Sequence, residues 1–505
     1  MQQQSTDPDH MRIKRQSTIN RHAGKQRGQA LILSVAFLAV LSVGVLVMFS
    51  NQQSLARKTQ LVNAADAAAY SVAVQQARAL NFAAYGNRAR VANEVAVAQM
   101  VGMYSWLNQV HKTSRNIKTT LNMISWVPYV GQVAAVLARV FQAIDVALGQ
   151  VRPLIRQAFQ LAINGLDLIN GTLANGTRLL FNTATRSVDA IKFAGQIVEA
   201  NAPGARLSAA GSAQLTTQLH QAFNTFTTLH RIPQTGTATG ADRFRNVVMK
   251  SRDRFSRTRD KDAGLWPLRL NQAGGTDMVG YRQWAAVDTL SLEVSLPWPM
   301  DDLDLPLGWG GAQAVKNYQN QTFLWGINNG NGWRDGWDNN RLHRPYGDAR
   351  RQTGRTLVRN ANRDPNVGGS RSGSFFTGYD GLRDYYDVAD GKGTASNNDP
   401  RNNNADKDTV GPVFTLHVQS AQALSRTSPH IDGMGAGQMA LTDKTHGGDV
   451  SALASAQVYF NRPFTLTAFA RGDRKLEVGN LFNPYWQARL VETPTGIASL
   501  LGAMP

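Results

Sequence analysis

At about 100 to 200 residues per domain, a chain of 505 residues carries two to four domains and can bury a sizeable core. It holds no cysteine, which excludes disulfides, thiol nucleophiles, iron–sulfur clusters, cysteine zinc sites and lipidated cysteines. Its 53 Lys and Arg against 35 Asp and Glu give a net charge of +18, which calls for an anionic neighbour such as a lipid headgroup, a cell-wall polymer or nucleic acid.

Most of the excess charge lies in three segments. Residues 1–28 carry Arg12, Lys14, Arg15, Arg21, Lys25 and Arg27 against Asp7 and Asp9. Residues 243–259 carry seven basic residues against Asp253, and residues 341–363 carry seven against Asp348. Between the first of these and the rest lies ALILSVAFLAVLSVGVLVMF, Ala30 to Phe49, whose polar residues are Ser34 and Ser42 alone. Twenty helical residues span about 30 Å, the thickness of a bilayer's hydrocarbon core. A cleaved signal peptide has a shorter apolar run and a small-x-small exit, whereas this run ends in Met48-Phe49-Ser50-Asn51. The segment therefore reads as an uncleaved anchor. Six basic residues before it, against Arg57 and Lys58 soon after, place the N-terminus in the cytoplasm and the body outside it. That topology makes nucleic acid an unexpected partner.

Residues 50–205 read as a helical stalk or bundle. From 51 to about 125 the chain is rich in Ala, Val and Gln, with Asn63-Ala-Ala-Asp66-Ala-Ala-Ala as a small-residue surface. Such a surface suits close helix packing, and Ala is equally the best helix former. Pro128 and Pro153 bracket a second helical stretch. In it Val130, Val133, Leu137, Val140, Ile144 and Leu148 form an apolar row expected to pack, and Gln132, Arg139, Gln142 and Asp145 form the other face. A third helical region, about 154–200, contains Gly165, Gly171 and Gly176.

Residues 206–505 change character, with eight of the ten Trp lying beyond residue 260. Segments 284–295, 413–418, 452–460 and 486–491 alternate apolar and polar residues, as antiparallel strands with one wet face do. An insertion at about 328–408 is dominated by Gly, Asn, Asp and Arg, a composition of turns and long loops. The fold class expected is α+β: one N-terminal transmembrane helix, a helical stalk, and a C-terminal antiparallel β-containing domain with a loop-rich insertion.

The chain contains no G-x-S-x-G, P-loop or H-E-x-x-H motif. His417, His430 and His446 are too far apart in sequence to be read as metal ligands. His446-Gly-Gly-Asp449 has the form of an oxyanion loop but lacks an accompanying nucleophile, so a turn is the simpler reading. Asp384, Asp387 and Asp390 are spaced by three, whereas an EF-hand loop needs its acidic oxygens at positions 1, 3 and 5. Gly330-Asn-Gly-Trp-Arg-Asp-Gly-Trp-Asp338 offers Trp and amide groups that stack on sugars, or a packed loop. The run 243–259 interleaves Phe244 and Phe255 with arginines and reads either as a phosphate, anionic-lipid or peptidoglycan surface or as a solvated helix. Asn170, Asn175 and Asn320 sit in glycosylation-like triplets of the kind that arise by chance. No catalytic, cofactor-binding or metal-binding residue is assigned.

Arg27-Gly-Gln-Ala-Leu-Ile-Leu33, the single apolar span, and Leu61-Val-Asn-Ala-Ala-Asp-Ala-Ala-Ala69 together resemble the Tad-like N-terminal region of bacterial Flp (type IVc) pilus-assembly proteins. The resemblance covers about residues 20–75. Leu80-Asn-Phe-Ala-Ala-Tyr-Gly-Asn-Arg88, Val91-Ala-Asn-Glu-Val95 and Leu481-Phe-Asn-Pro-Tyr-Trp486 resemble an uncharacterised bacterial envelope family with the same kind of anchor. Flp prepilins are cut after a Gly followed five residues on by Glu, whereas Gly28 is followed at that place by Leu33. The D-x-S-x-S metal site of von Willebrand A-like domains, found in many proteins with this N-terminus, is absent. The resemblance implies a non-enzymatic, single-pass inner-membrane component of a pilus-assembly or secretion system, its body periplasmic and its partners pilins or assembly proteins. Binding of an anionic wall polymer or lipid headgroups is the second expectation, and an envelope hydrolase the third.

Overall fold

A computed structural model describes residues 29–125, 130–184, 187–234, 238–259, 261–295, 303–317, 375–389, 409–421, 449–463 and 477–502. The chain divides into two compact units, one of residues 1–60 and 421–450 and one of residues 61–420 and 451–505. The described elements mix helix with largely antiparallel sheet. Helices α1 (Gln29–Ile124), α2 (Val130–Ala184) and α3 (Ser187–Asn201) come first. They are followed by β1 (Arg206–Leu207), α4 (Ala209–Asn224), β2 (Thr227–His230), α5 (Thr239–Ser251) and α6 (Arg254–Arg257). Next are β3 (Lys261–Leu265), β4 (Leu268–Val279), β5 (Gln283–Val294) and β6 (Leu303–Ala314). Short strands β7 (Phe375–Phe376) and β8 (Tyr385–Val388) precede β9 (Thr409–Ala421), β10 (Asp449–Phe460), β11 (Trp486–Val491) and α7 (Thr495–Gly502).

In the first unit, α1 presents its apolar side chains outward from Ala30 to Met48. The most apolar window of the helix has a mean hydropathy of 2.8 and none of it is buried in protein. The hydroxyls of Ser34 and Ser42 donate to the carbonyls of Ala30 and Leu38 at 2.6 and 2.7 Å. Both polar side chains are thus satisfied within the helix, the condition that a hydrocarbon environment imposes. This helix is long and apolar enough to cross a membrane.

In the second unit, from Leu61 onward, the small residues of α1 go inside. Ala64, Ala65, Ala68, Ala69, Val72 and Ala73 are fully buried, so the alanine-rich signature is core rather than surface. Asp66 sits among them half-buried, and burial pushes its carboxyl above the usual range.

Helix α2 corrects two expectations. It runs through Pro153 without ending, although an interior proline costs about 3 kcal/mol. Tertiary contacts on both sides hold it. Asp145 pairs with Lys118 at 2.7 Å and with His111 at 3.1 Å. Arg152 Nε donates to Asn108 Oδ1 at 3.0 Å, and Gln160 exchanges hydrogen bonds with the backbone of Thr377. The apolar row expected to pack is open instead: Val133, Leu137, Val140 and Ile144 are exposed. The buried side of this stretch carries Ala134 and Ala138, with Asp145 bonded to α1. Small side chains allow close approach and ion pairs then fix it, so this face outcompetes the larger aliphatic one.

Three sheets are present among the described residues, ordered β1-β9-β10-β11, β2-β8 and β3-β4-β5-β6-β7. In the five-stranded sheet β3 to β6 are antiparallel neighbours and β7 adds a short parallel pair to β6. All four alternating segments noted in the sequence are strands. One face of the five-stranded sheet packs on α1: Ser105 Oγ donates to Asp288, and the side-chain amides of Asn108 and Asn116 donate to the carbonyls of Gly311 and Leu307. Glycines in β6 make this approach possible. A Cβ at Gly310 would lie 2.1 Å from the Ser105 carbonyl oxygen, and one at Gly308 would lie 1.9 Å from Thr113 Oγ1.

The packing crosses residue 205. Val97, Val101 and Tyr104 of α1, Ile163 of α2, Phe244 and Val248 of α5 and Trp284 of β5 belong to one core. Residues 375–389, inside the Gly- and Asn-rich stretch expected to be loops, supply Phe376, Tyr379, Leu382 and Tyr385 to that same core. The remainder of 328–408 lies outside the described residues.

The basic run 243–259 forms α5, α6 and their flanks, and three of its arginines point inward. Arg245, Arg252 and Arg259 are buried. Arg252 bonds Asp277 and the Thr276 carbonyl. Arg259 grips Asp288 through Nε at 2.5 Å and Nη2 at 3.0 Å, and donates further to the carbonyls of Phe255 and Gly275 and to Thr276 Oγ1. Burial holds the Asp288 carboxyl above its usual range, opposed by the Arg259 charge and by the hydrogen bonds from Arg259 and Ser105.

Replacing one partner of a buried, hydrogen-bonded ion pair strands the other, so Arg259→Ala is expected to cost about 3–5 kcal/mol in denaturant unfolding of the detergent-solubilised chain. Gly310→Ala forces α1 off the sheet and is expected to cost about 1–3 kcal/mol in the same measurement.

Candidate functional site: an arginine-lined pocket beside a buried glutamate

Glu94 of α1 is 1% exposed. Trp284 Nε1 donates to its Oε2 at 2.9 Å, Asn170 Nδ2 donates to its Oε1 at 3.0 Å, and the Tyr379 hydroxyl donates to Oε2. Asn93 supports Asn170 with a bond of 2.8 Å. Four parts of the chain, α1, α2, β5 and the segment after β7, thus converge on one carboxylate. Complete burial pushes Glu94 above the usual carboxylate range, opposed by the bonds from Tyr379 and Trp284 and by the Arg90 charge. Burial, together with the adjacent Glu94 charge, pushes Tyr379 well above the ordinary phenol value.

Arg90 lies one helical turn before Glu94 and lines a pocket of about 260 Å³ together with Arg178, Arg282, Arg383, Asp384 and Tyr386. Each arginine comes from a different element. Arg90 belongs to α1 and Arg178 to α2, while Arg282 lies in the β4–β5 turn and Arg383 precedes β8. Gly381, at φ +82°, lets the chain lie over that turn; a Cβ there would sit 2.5 Å from Arg282 Cα. The Leu382 amide then donates to the Tyr281 carbonyl at 2.9 Å.

The four guanidiniums are held differently. Arg383 donates to Asp167 at 2.6 Å and to Asp380 at 2.9 Å. Arg282 donates to the carbonyls of Asp380 and Ile232 at 3.1 and 2.9 Å. Arg90 donates to Asn87 Oδ1 at 3.3 Å and to the Arg383 carbonyl, and lies 5.0 Å over the Phe244 ring. Burial lowers its pKa to about 10, which still leaves it charged at neutral pH. Arg178 is exposed and bonds none of the described residues. Asp384 Oδ1 accepts from the Ile232 amide at 2.8 Å.

Segments singled out in the sequence come together beside this centre. Asn81 and Trp486 exchange two hydrogen bonds of 2.8 and 3.0 Å, and Asn87 donates to the Leu481 and Tyr386 carbonyls. Leu80–Arg88 and Leu481–Trp486 are therefore one joint, and Val91–Val95 supplies Glu94. Asp384 and Asp387 do not share a cation. Asp384 accepts from Ile232, while Asp387 accepts from the Leu481 amide and pairs with Arg243 at 3.3 Å; Asp390 lies outside the described residues. Among the described residues no group of three His, Asp or Glu is placed to hold a metal. Asn170 is buried in the Glu94 network and Asn175 lies at the arginine pocket. Asn320, His430, His446 and Gly330–Asp338 are outside the described residues.

His417 has a serine partner, Ser208 Oγ at 2.7 Å. Ser208 also accepts from the Gly211 amide and caps α4, and among the described residues the imidazole has no carboxylate to orient it. The pair is a buried cap rather than a nucleophile and its base. None of the pocket arginines carried a spacing signal, because 90, 178, 282 and 383 share no local pattern; only the fold assembles them.

Glu94→Ala leaves three donors without an acceptor and is expected to cost about 3–5 kcal/mol by denaturant unfolding. Glu94→Gln keeps one acceptor and is expected to cost less. Because the folded carboxyl titrates above its unfolded value of 4.5, its contribution is full below that pH and is lost as pH rises through the folded pKa. The stability advantage of wild type over Glu94→Gln is therefore expected to shrink as pH rises from 4, read from paired denaturation curves.

Comparison of this chain with protein-family models, with curated proteins and with solved structures finds no match.

Proposed function

We propose that this protein is a single-pass, non-enzymatic structural or interaction component of a bacterial Flp/Tad-type pilus-assembly or secretion apparatus. Ala30–Phe49 holds it in the inner membrane, with the basic tail cytoplasmic and the body extracytoplasmic. The observation that carries this reading is the outward-facing apolar start of α1, its two hydroxyls satisfied internally, in the same helix as the Leu61–Ala69 signature. The first supports a lipid environment, and the second ties the helix to Tad-like N-terminal regions. The Ala-rich segment of α1 is buried within its own unit, so the exposed row of α2, Val133, Leu137, Val140 and Ile144, is the better surface for partner helices. The basic run 243–259 supports wall-polymer binding poorly, since Arg252 and Arg259 spend their charge on Asp277 and Asp288.

Affinity capture of the tagged chain from detergent-solubilised membranes of its host is expected to enrich a pilin or a pilus-assembly or secretion protein; recovery of none counts against the reading. Carbonate extraction tests the anchor separately. Wild type is expected to stay in the pellet, and Leu38→Arg with Leu41→Arg, at about 2.5–3.5 kcal/mol per charge, is expected to release the chain or block its insertion.

A further inference from the structure

The pocket between α1, α2 and the turn at Arg282 holds more positive charge than the fold uses. Arg383 is neutralised by Asp167 and Asp380. Arg90, Arg178 and Arg282 form no ion pair with any described carboxylate, and the acidic side chain in the lining is Asp384. Three guanidiniums face one carboxylate across one small volume. Such a cluster repels itself, and more strongly where protein replaces water. Hydrophobic packing would be served as well by neutral residues of similar size, so packing alone does not account for three charges here.

We propose that this pocket is a binding site for a dianionic phosphate group, either inorganic phosphate or a phosphomonoester. An excess of two positive charges matches a phosphate dianion better than a single carboxylate. The arginines also approach from three separate elements, which suits a tetrahedral anion with several oxygens, whereas a planar carboxylate is gripped by one guanidinium fork. Tyr386 also lines the pocket. A volume of about 260 Å³ is slightly under the range of drug-sized ligand pockets, which leaves room for a phosphate with a small esterified group. Arg282 and Arg90 are already oriented by backbone carbonyls and Asn87, so the binding geometry is largely pre-formed. Arg178 is the exposed arginine of the lining.

The test is calorimetric titration of the full chain in detergent with inorganic phosphate, with glycerol 3-phosphate and with acetate. Both phosphate probes are expected to bind, acetate at least about tenfold more weakly, and the affinity to fall as NaCl is added. Tighter binding of glycerol 3-phosphate would identify an esterified headgroup as the source, and tighter binding of inorganic phosphate the free anion. Arg178→Glu is the chosen variant because its side chain makes no bond to any described residue. It is expected to keep the wild-type unfolding midpoint and lose about tenfold or more in phosphate affinity. Arg282→Lys, which keeps the charge without the fork, is expected to weaken phosphate by a smaller factor. Failure of wild type to bind either phosphate probe at millimolar concentration would overturn the proposal. Equal binding of acetate, or unchanged binding by folded Arg178→Glu, would overturn it as well.

Discussion

A carboxylate removed from water has to be solvated by the protein, and that requirement at Glu94 organises the second unit. Three donors from three different parts of the chain must reach two oxygens at once, so α2, β5 and the segment after β7 are each placed relative to α1. Apolar packing cannot do this. The buried surface of α1 just after Leu61 is mostly alanine, which tolerates sliding by a turn, whereas a buried hydrogen-bonded carboxylate does not. The same logic repeats along the helix. Asn81, Asn87, Ser105, Asn108 and Asn116 each bond a backbone group or carboxylate on a distant segment. One long helix therefore serves as the template on which non-local strands are registered, with polar side chains setting position and small residues setting distance.

This division of labour explains which parts of the fold were legible in the sequence. The uncharged run Ala30–Phe49 needs no partner to be recognised, because its length and composition are the property that matters. Segments 284–295, 413–418, 452–460 and 486–491 show alternation and are strands, but among the described residues the wet face expected of them is confined to 486–491: Thr415, His417, Ser455 and Gln457 are buried along with their apolar neighbours. Strands β4 and β6 were missed. Their centres contain Gly274, Gly275, Gly308, Gly310 and Gly311, residues of low β-propensity, and in β6 the approach of α1 at Gly308 and Gly310 leaves no room for a side chain. In α2 the period marks a helix, but the apolar row that it marks faces outward. Periodicity reports that a helix has two faces, but the ion pairs of Asp145 and the small side chains of Ala134 and Ala138 decide which one turns inward. The pocket was illegible for a different reason: residues 90, 178, 282 and 383 become neighbours only after the packing around Glu94 has been set.

Net charge likewise says less than its disposition. The run 243–259 looks like a surface for anions, yet Arg252 and Arg259 act as internal counterions to Asp277 and Asp288. Each buried pair is expensive to desolvate, and Arg259 offsets that by filling its remaining donor positions with carbonyl and hydroxyl oxygens. The pair also ties the flank of α6 to β5 and, through Ser105, to α1.

The contrast between these arginines and those of the pocket carries the last step. Several inward-facing cations have a carboxylate at bonding distance: Asp277 for Arg252, Asp288 for Arg259, Asp167 and Asp380 for Arg383. Arg90 is as buried as Arg252 and Arg259 but receives an amide oxygen, a carbonyl and an aromatic face instead. Those neutral partners orient a guanidinium without cancelling its charge. Glu94, one turn on along the same helix, has its oxygens committed to Trp284, Tyr379 and Asn170 and makes no ion pair with Arg90. A pocket that sets this arginine beside two more guanidiniums, with Asp384 as the acid in its lining, concentrates positive potential at one small opening. An anion from outside the chain completes the charge balance there that Asp277 and Asp288 complete elsewhere.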